Sequence, residues 1–183
     1  RLAATAAPNR GNGIVVEAAD VTIGGTALRD RNLIAGNAMN QIMVEATGHR
    51  AIIIGNHIGT YITGTVDVDG AKSDVGTPGH SGVVIHGGAN QVRIGGLTAA
   101  ERNLISGNDY YGIEILEGSS NAQILGNYIG TAIDGQTALA NGHGVSFWAA
   151  GAGNRLGGPQ AGAGNVISGN LGFGAYLGSM TQR

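Results

Sequence analysis

The triplet Asn-x-Ile, returning once per turn of a longer repeat, constrains this chain more than any local propensity does. It stands at Asn32-Leu33-Ile34, Asn56-His57-Ile58, Asn103-Leu104-Ile105, Asn127-Tyr128-Ile129 and Asn165-Val166-Ile167. A unit this small cannot bury its own apolar face, so successive copies must stack on one another. A wider repeat encloses the triplet. Asn-Leu-Ile-Ala-Gly-Asn at 32–37 returns as Asn-Leu-Ile-Ser-Gly-Asn at 103–108 and as Asn-Val-Ile-Ser-Gly-Asn at 165–170. Between them, Ile-Gly-Asn-His-Ile-Gly-Thr at 54–60 returns as Leu-Gly-Asn-Tyr-Ile-Gly-Thr at 125–131. Two kinds of coil therefore alternate.

Composition agrees with a stack of short strands. The chain has 183 residues, 35 of them glycine and only three proline, with no Gly-X-Y period. Glycine at this level beside plentiful Ile and Val reads as strands joined by tight turns. The net charge is −2, and Lys72 is the only lysine. Without a basic stripe, nucleic acid is not an expected partner. The absence of cysteine excludes a disulfide framework and thiolate metal sites. No apolar run approaches the roughly 18 residues of a membrane span.

Stacking the coils turns the sequence into columns, because alternate strand residues face opposite sides. Coils begin near residues 13, 41, 82, 112, 144 and 174. The first strand then contributes two inward columns. One runs Ile14, Ile42, Val83, Ile113, Val145, Ala175, and the other Val16, Val44, Ile85, Ile115, Phe147, Leu177. For the second strand, the expected column is Ile23, Ile54, Ile94, Leu125, Leu156, each followed by glycine. The third strand carries the five isoleucines of the triplets. The five asparagines should form an inward ladder, their amides stacked about 4.8 Å apart and hydrogen-bonded along the stack.

The strings Gly-Ile-Glu-Ile (112–115), Asn-Leu-Ile-Ser-Gly-Asn (103–108) and Gly-Asn-Tyr-Ile-Gly-Thr (126–131) give the chain a resemblance to right-handed parallel β-helix repeats. These have the architecture of pectate-lyase-like proteins and of large bacterial secreted and surface proteins. The likeness covers about residues 10–178. The expected fold is all-β, a single-stranded right-handed parallel β-helix of five to six coils with three short strands each. Its handedness is implied by the resemblance alone. Neither end offers a polar cap, so the sequence reads as a piece of a longer repeat protein. The alternative is a unit that stacks end to end with copies of itself.

Chemistry is expected where the repeat breaks. The interval from 41 to 82 is the longest, and its extra segment, Thr60–His80, carries Asp67, Asp69 and Asp74. With Asp109 and Asp134 from the corresponding corners of later coils, these carboxylates are candidate ligands for Ca2+. Asp67-Val-Asp-Gly70 supplies half of an oxygen-ligand loop but lacks the third ligand position and the closing glutamate. The competing reading is that Asp and Gly simply make turns. Tyr110 and Tyr111 share the corner and are candidates for ligand binding.

The outer face of the first strand is the second candidate. One outward column reads Val15, Met43, Val84, Glu114, Ser146, Tyr176, and the next Glu17, Glu45, His86, Leu116, Trp148. In pectate-lyase-like enzymes this face holds the saccharide. Here Glu45, His86 and Glu114 are the candidates for acid–base work, and Trp148 and Tyr176 for stacking a sugar. Against catalysis, this face carries no Arg or Lys to meet a uronate. No His-Glu-x-x-His spacing or Gly-x-Ser-x-Gly elbow supports zinc or serine chemistry either.

The repeats are scaffold, so the expected function is a non-catalytic, extracellular or cell-surface bacterial module: a spacer, an adhesin stalk or an assembling fibre. Its partners would be copies of itself, flanking repeats or a polysaccharide. A polysaccharide lyase, epimerase or glycoside hydrolase is the alternative, and a calcium-dependent binding module is a third reading.

Overall fold

The chain winds as a parallel β-helix. The computed structural model describes residues 9–66 and 80–178, with strands of two to six residues. The first coil holds β1 (Ile14–Val16), β2 (Thr22–Gly24) and β3 (Leu33–Ile34), and the second β4 (Ile42–Val44), β5 (Ile52–Ile54) and β6 (His57–Ile58). The third holds β7 (Val83–Ile85), β8 (Arg93–Gly95) and β9 (Leu104–Ile105). In the fourth come β10 (Tyr111–Leu116), β11 (Gln123–Leu125) and β12 (Tyr128–Ile129). The fifth has β13 (His143–Trp148), β14 (Arg155–Leu156) and β15 (Val166–Ile167), and β16 (Ala175–Gly178) opens a sixth. One 3₁₀ turn, Leu28–Asp30, lies in the first coil.

Every third strand pairs in parallel with its counterpart one coil on, which gives three sheets. The first runs β1-β4-β7-β10-β13-β16, the second β2-β5-β8-β11-β14 and the third β3-β6-β9-β12-β15. Both inward columns of the first strand are in register as expected, for instance Ile42↔Val83 and Ile115↔Phe147. So is the isoleucine column of the third. Ile42, Ile85, Ile113, Ile58, Ile105 and Ile129 are fully buried. Each such side chain adds about 1.5–3 kcal/mol relative to an exposed one.

The second-strand column needs one correction. Its core members are Ile23, Ile53, Ile94, Ile124 and Leu156, so Ile53 and Ile124 replace the expected Ile54 and Leu125. The cause is the alternation of coils. In the second and fourth coils the glycine follows the core residue one position later and the ladder asparagine comes directly after it, so Ile54 and Leu125 lie opposite Gly24 and Gly95. Gly95 turns with φ +79°, and a Cβ there would sit 2.0 Å from the Leu125 carbonyl oxygen. Only glycine fits that approach.

The asparagine ladder is continuous and runs in one direction. The amide of Asn32 donates to Asn56 Oδ1 at 3.0 Å, Asn56 to Asn103 at 3.2 Å, Asn103 to Asn127 at 3.0 Å and Asn127 to Asn165 at 3.1 Å. Each accepting oxygen also takes a backbone N–H of the preceding coil, as when Asn56 N donates to Asn103 Oδ1 at 3.0 Å. A second ladder, Asn108–Asn141–Asn170, runs with amide bonds of 2.8 and 2.9 Å. The hexapeptides ending at Asn108 and Asn170 signal it in the sequence. Among the described residues, no helix is long and apolar enough to cross a membrane.

Candidate functional site

The strands of the first sheet lengthen along the stack. β10 and β13 have six residues each where the preceding strands of this sheet have three. The outward column is in the expected register, Met43↔Val84↔Glu114↔Ser146↔Tyr176. These five residues form the floor of a cleft of about 600 Å³. That volume falls within the usual range for a small-ligand site, about 300–1,000 Å³. One wall is Tyr110, Tyr111 and Phe173, the other Leu116 and Trp148, and Asn40 completes the lining.

The first wall is a column of its own, one residue before the corner glycines. A Cβ at Gly112 would press on Ile129 Cγ2 at 2.8 Å and on the Gly144 carbonyl at 2.9 Å. The chain therefore turns there without a side chain, and the preceding residue swings to the cleft side. In consecutive coils that residue is Tyr111, His143 and Phe173. Their rings stack, with centroids 4.8 Å apart between Tyr111 and His143 and 5.3 Å between His143 and Phe173. Tyr110 meets Tyr111 edge-on at 4.6 Å. On the opposite side Trp148 stacks on Tyr176 at 5.7 Å, and Phe173 closes the arc against Tyr176 at 5.8 Å. Of the two Phe, one Trp and five Tyr in the chain, five converge on this cleft.

Glu114 is the only acidic side chain in the lining, which contains no Arg, Lys or His. It is 8% exposed, and its Oε2 accepts the Ser81 hydroxyl at 2.5 Å. Ser81 is itself fixed: its N–H donates to Asn40 Oδ1 at 3.0 Å, and its Oγ takes the Tyr111 N–H at 3.2 Å. Burial pushes the Glu114 carboxyl above the ordinary carboxylate range, and the Ser81 bond opposes this in part. Burial likewise raises both Tyr110 and Tyr111, with the Glu114 charge adding to the effect.

The other expected acid–base pair sits outside the cleft. His86 Nε2 lies 2.7 Å from Glu45 Oε2, and its Nδ1 lies 3.4 Å from Glu117 Oε2. The imidazole stands between two carboxylates in an ordinary surface contact. Neither Glu45 nor His86 lines the cleft.

The aspartate corner comes together only in part. Asp67, Asp69 and Asp74 lie outside the described residues. Asp109 Oδ2 lies 3.6 Å from His80 Nδ1. Asp134 caps its own turn, accepting the Gln136 and Thr137 N–H groups at 2.9 Å each and the Thr137 hydroxyl at 2.6 Å. These bonds, led by the Thr137 hydroxyl, hold its carboxyl below the ordinary range. Among the described residues, no group of three or more His, Asp or Glu side chains could hold a metal ion.

His57 points outward as the triplet implies, yet it is only 2% exposed. Gly64 of the following loop lies over it, a Cβ there falling 3.2 Å from His57 Cε1. Burial first, and then the charge of Arg31, lower its pKa, against an opposing pull from the Tyr61 backbone. Of the lining, the sequence places Glu114, Trp148 and Tyr176 on this face and Tyr110 and Tyr111 at the aspartate corner, and it misses Phe173 and the position of His143 between the rings. The signal for both was their position before the corner glycines Gly144 and Gly174.

In comparisons with known proteins, no family model, no curated protein and no solved structure matches the chain.

Proposed function

We propose that the chain is a non-catalytic, extracellular β-helix module that binds a saccharide along the outer face of its first sheet. The observation that carries this reading is the pair of aromatic surfaces, Tyr111–His143–Phe173 and Trp148–Tyr176, bordering one cleft of about 600 Å³. A pyranose ring has an apolar face of C–H groups and an edge of hydroxyls. Rigid rings receive the first at low entropic cost. Asn40, Ser146 and Glu114 offer hydrogen-bonding groups to the second. The resemblance to pectate-lyase-like repeats points to the same face.

Binding is favoured over bond cleavage by the composition of the lining. Hydrolysis by a carboxylate pair needs two acids about 5–10 Å apart across the scissile bond, and the cleft lining supplies one. A specific observation nonetheless keeps an enzymatic alternative: the buried Glu114, with its raised pKa, has the character of a general acid. The two readings separate in one experiment. Incubated with a panel of insoluble and soluble polysaccharides, the protein should co-sediment with at least one and release no new reducing or unsaturated ends. Trp148→Ala and Tyr176→Ala should abolish co-sedimentation. Product formation that disappears in Glu114→Gln would replace the binding reading with the enzymatic one.

A further inference from the structure

From the charge and ring arrangement of the cleft we infer that it selects a cationic saccharide, a pyranose bearing an ammonium group, with Glu114 as the partner of that ammonium. The inference rests on the saccharide reading above and goes beyond it by naming the class of sugar. Three features support it. First, Glu114 is a carboxylate 8% exposed at the cleft floor, and no salt bridge among the described residues pairs it with a cation. A buried charge of this kind is costly unless an opposite charge meets it. Ser81 occupies Oε2, and no hydrogen bond among the described residues takes Oε1.

Second, the residues around Glu114 suit a cation. Tyr110, Tyr111, Trp148 and Tyr176 line the cleft with it, and aromatic rings attract cations through their quadrupole. Third, no Arg or Lys side chain lines the cleft, and His143, stacked between Tyr111 and Phe173, is not among its lining residues, so no lining cation would neutralise a uronate. An acidic sugar would bring a second carboxylate beside Glu114 and be repelled. A neutral sugar could stack but would leave Glu114 unpaired. An amino sugar satisfies both, with its C–H face on Trp148 or Tyr176 and its ammonium on Glu114.

Isothermal titration against three matched oligomers tests this: a β-1,4-linked glucosamine hexamer, its N-acetylated counterpart and a galacturonate hexamer, all at about pH 6.5 and low salt. The glucosamine oligomer should bind at least about tenfold tighter than the N-acetylated one, and the galacturonate oligomer should give no heat. Glu114→Gln is nearly isosteric and should erase that preference, bringing the two sugars within about twofold. Trp148→Ala should weaken both sugars together. Circular dichroism and the melting temperature confirm that each variant is folded. Equal affinity for the charged and neutral oligomers, or a preference that survives Glu114→Gln, overturns the charge assignment and leaves saccharide binding standing. Failure of all three oligomers to bind overturns the assignment and counts against the saccharide reading too.

Discussion

The asparagine corner beside the third sheet and the outer face of the first sheet are built on the same coils by opposite rules. At the corner, position after position repeats: Asn32, Asn56, Asn103 and Asn127 make the same amide bond to the next coil, and Asn165 accepts the last of them. On the first-sheet face the column changes character along the stack, from Met43 and Val84 to Glu114, Ser146 and Tyr176. Stacking demands identical groups where each must satisfy its neighbour, because an unmatched buried amide has no water to turn to. A face open to solvent carries no such demand, so its residues can be chosen for a ligand. In this molecule the regular positions hold the fold together, and the irregular ones form the cleft.

That contrast can be broken most severely at the corner. Asn103→Ala removes the acceptor for the Asn56 N–H and amide, and the donor to the Ile53 carbonyl at 2.8 Å. Several buried groups are left unsatisfied, so a loss of about 4 kcal/mol is expected by urea denaturation. Asn165→Ala, at a part-buried rung of the ladder, should cost about half as much. Gly95→Ala tests the alternation of coils. Its positive φ and the 2.0 Å approach of the Leu125 carbonyl force the backbone to shift, with an expected cost of about 2–3 kcal/mol.

A smaller effect of opposite sign is expected in the cleft. The folded-state pKa of Glu114 is raised above the ordinary 4.5. Between 4.5 and the raised value, the folded chain holds a proton that the unfolded chain has released, so stability falls as pH climbs through this window. Glu114→Gln removes this dependence. Its melting temperature should exceed the parent's by about 2–4 °C near pH 8, the scale of one kcal/mol in a domain of this size, and match it near pH 3.5. A lower melting temperature at pH 8 would show that the carboxylate stabilises the empty cleft. The smallest effect belongs to His86→Ala, which deletes a surface contact with Glu45 and Glu117 and should change stability by less than about 0.5 kcal/mol. Saccharide binding should be unchanged in that variant.

What could be read from the residues alone follows the same division. The ladder, the inward columns of the first and third strands and the outward column ending at Tyr176 all follow from period-two alternation laid over a repeat. The second-strand register slipped by one at Ile54 and Leu125. Aligning on glycine assumes that every coil turns at the same residue, and alternate coils turn one residue apart. The Tyr111–His143–Phe173 stack escaped notice because three different residue types carry it, in a column that holds Asn40 and Ser81 in the preceding coils. Only their place before a corner glycine unites them, and the glycine is required by the isoleucine packed behind it. His57 is buried by a loop from its own coil, a tertiary event that the triplet cannot encode. The metal candidates Asp109 and Asp134 illustrate the reverse. Their spacing suggested a cluster, and the structure uses Asp134 as the cap of a turn and sets Asp109 beside His80.

Trp148 is the only tryptophan in the chain and forms part of the cleft wall, stacked on Tyr176. Its fluorescence therefore reports on the cleft without a label. Titration with amino and neutral oligosaccharides should give a saturable change in Trp148 emission, at lower concentration for the amino sugar, abolished in Tyr176→Ala and absent with an acidic oligosaccharide. An emission spectrum that stays constant to millimolar concentrations of all three classes would contradict saccharide binding at this face.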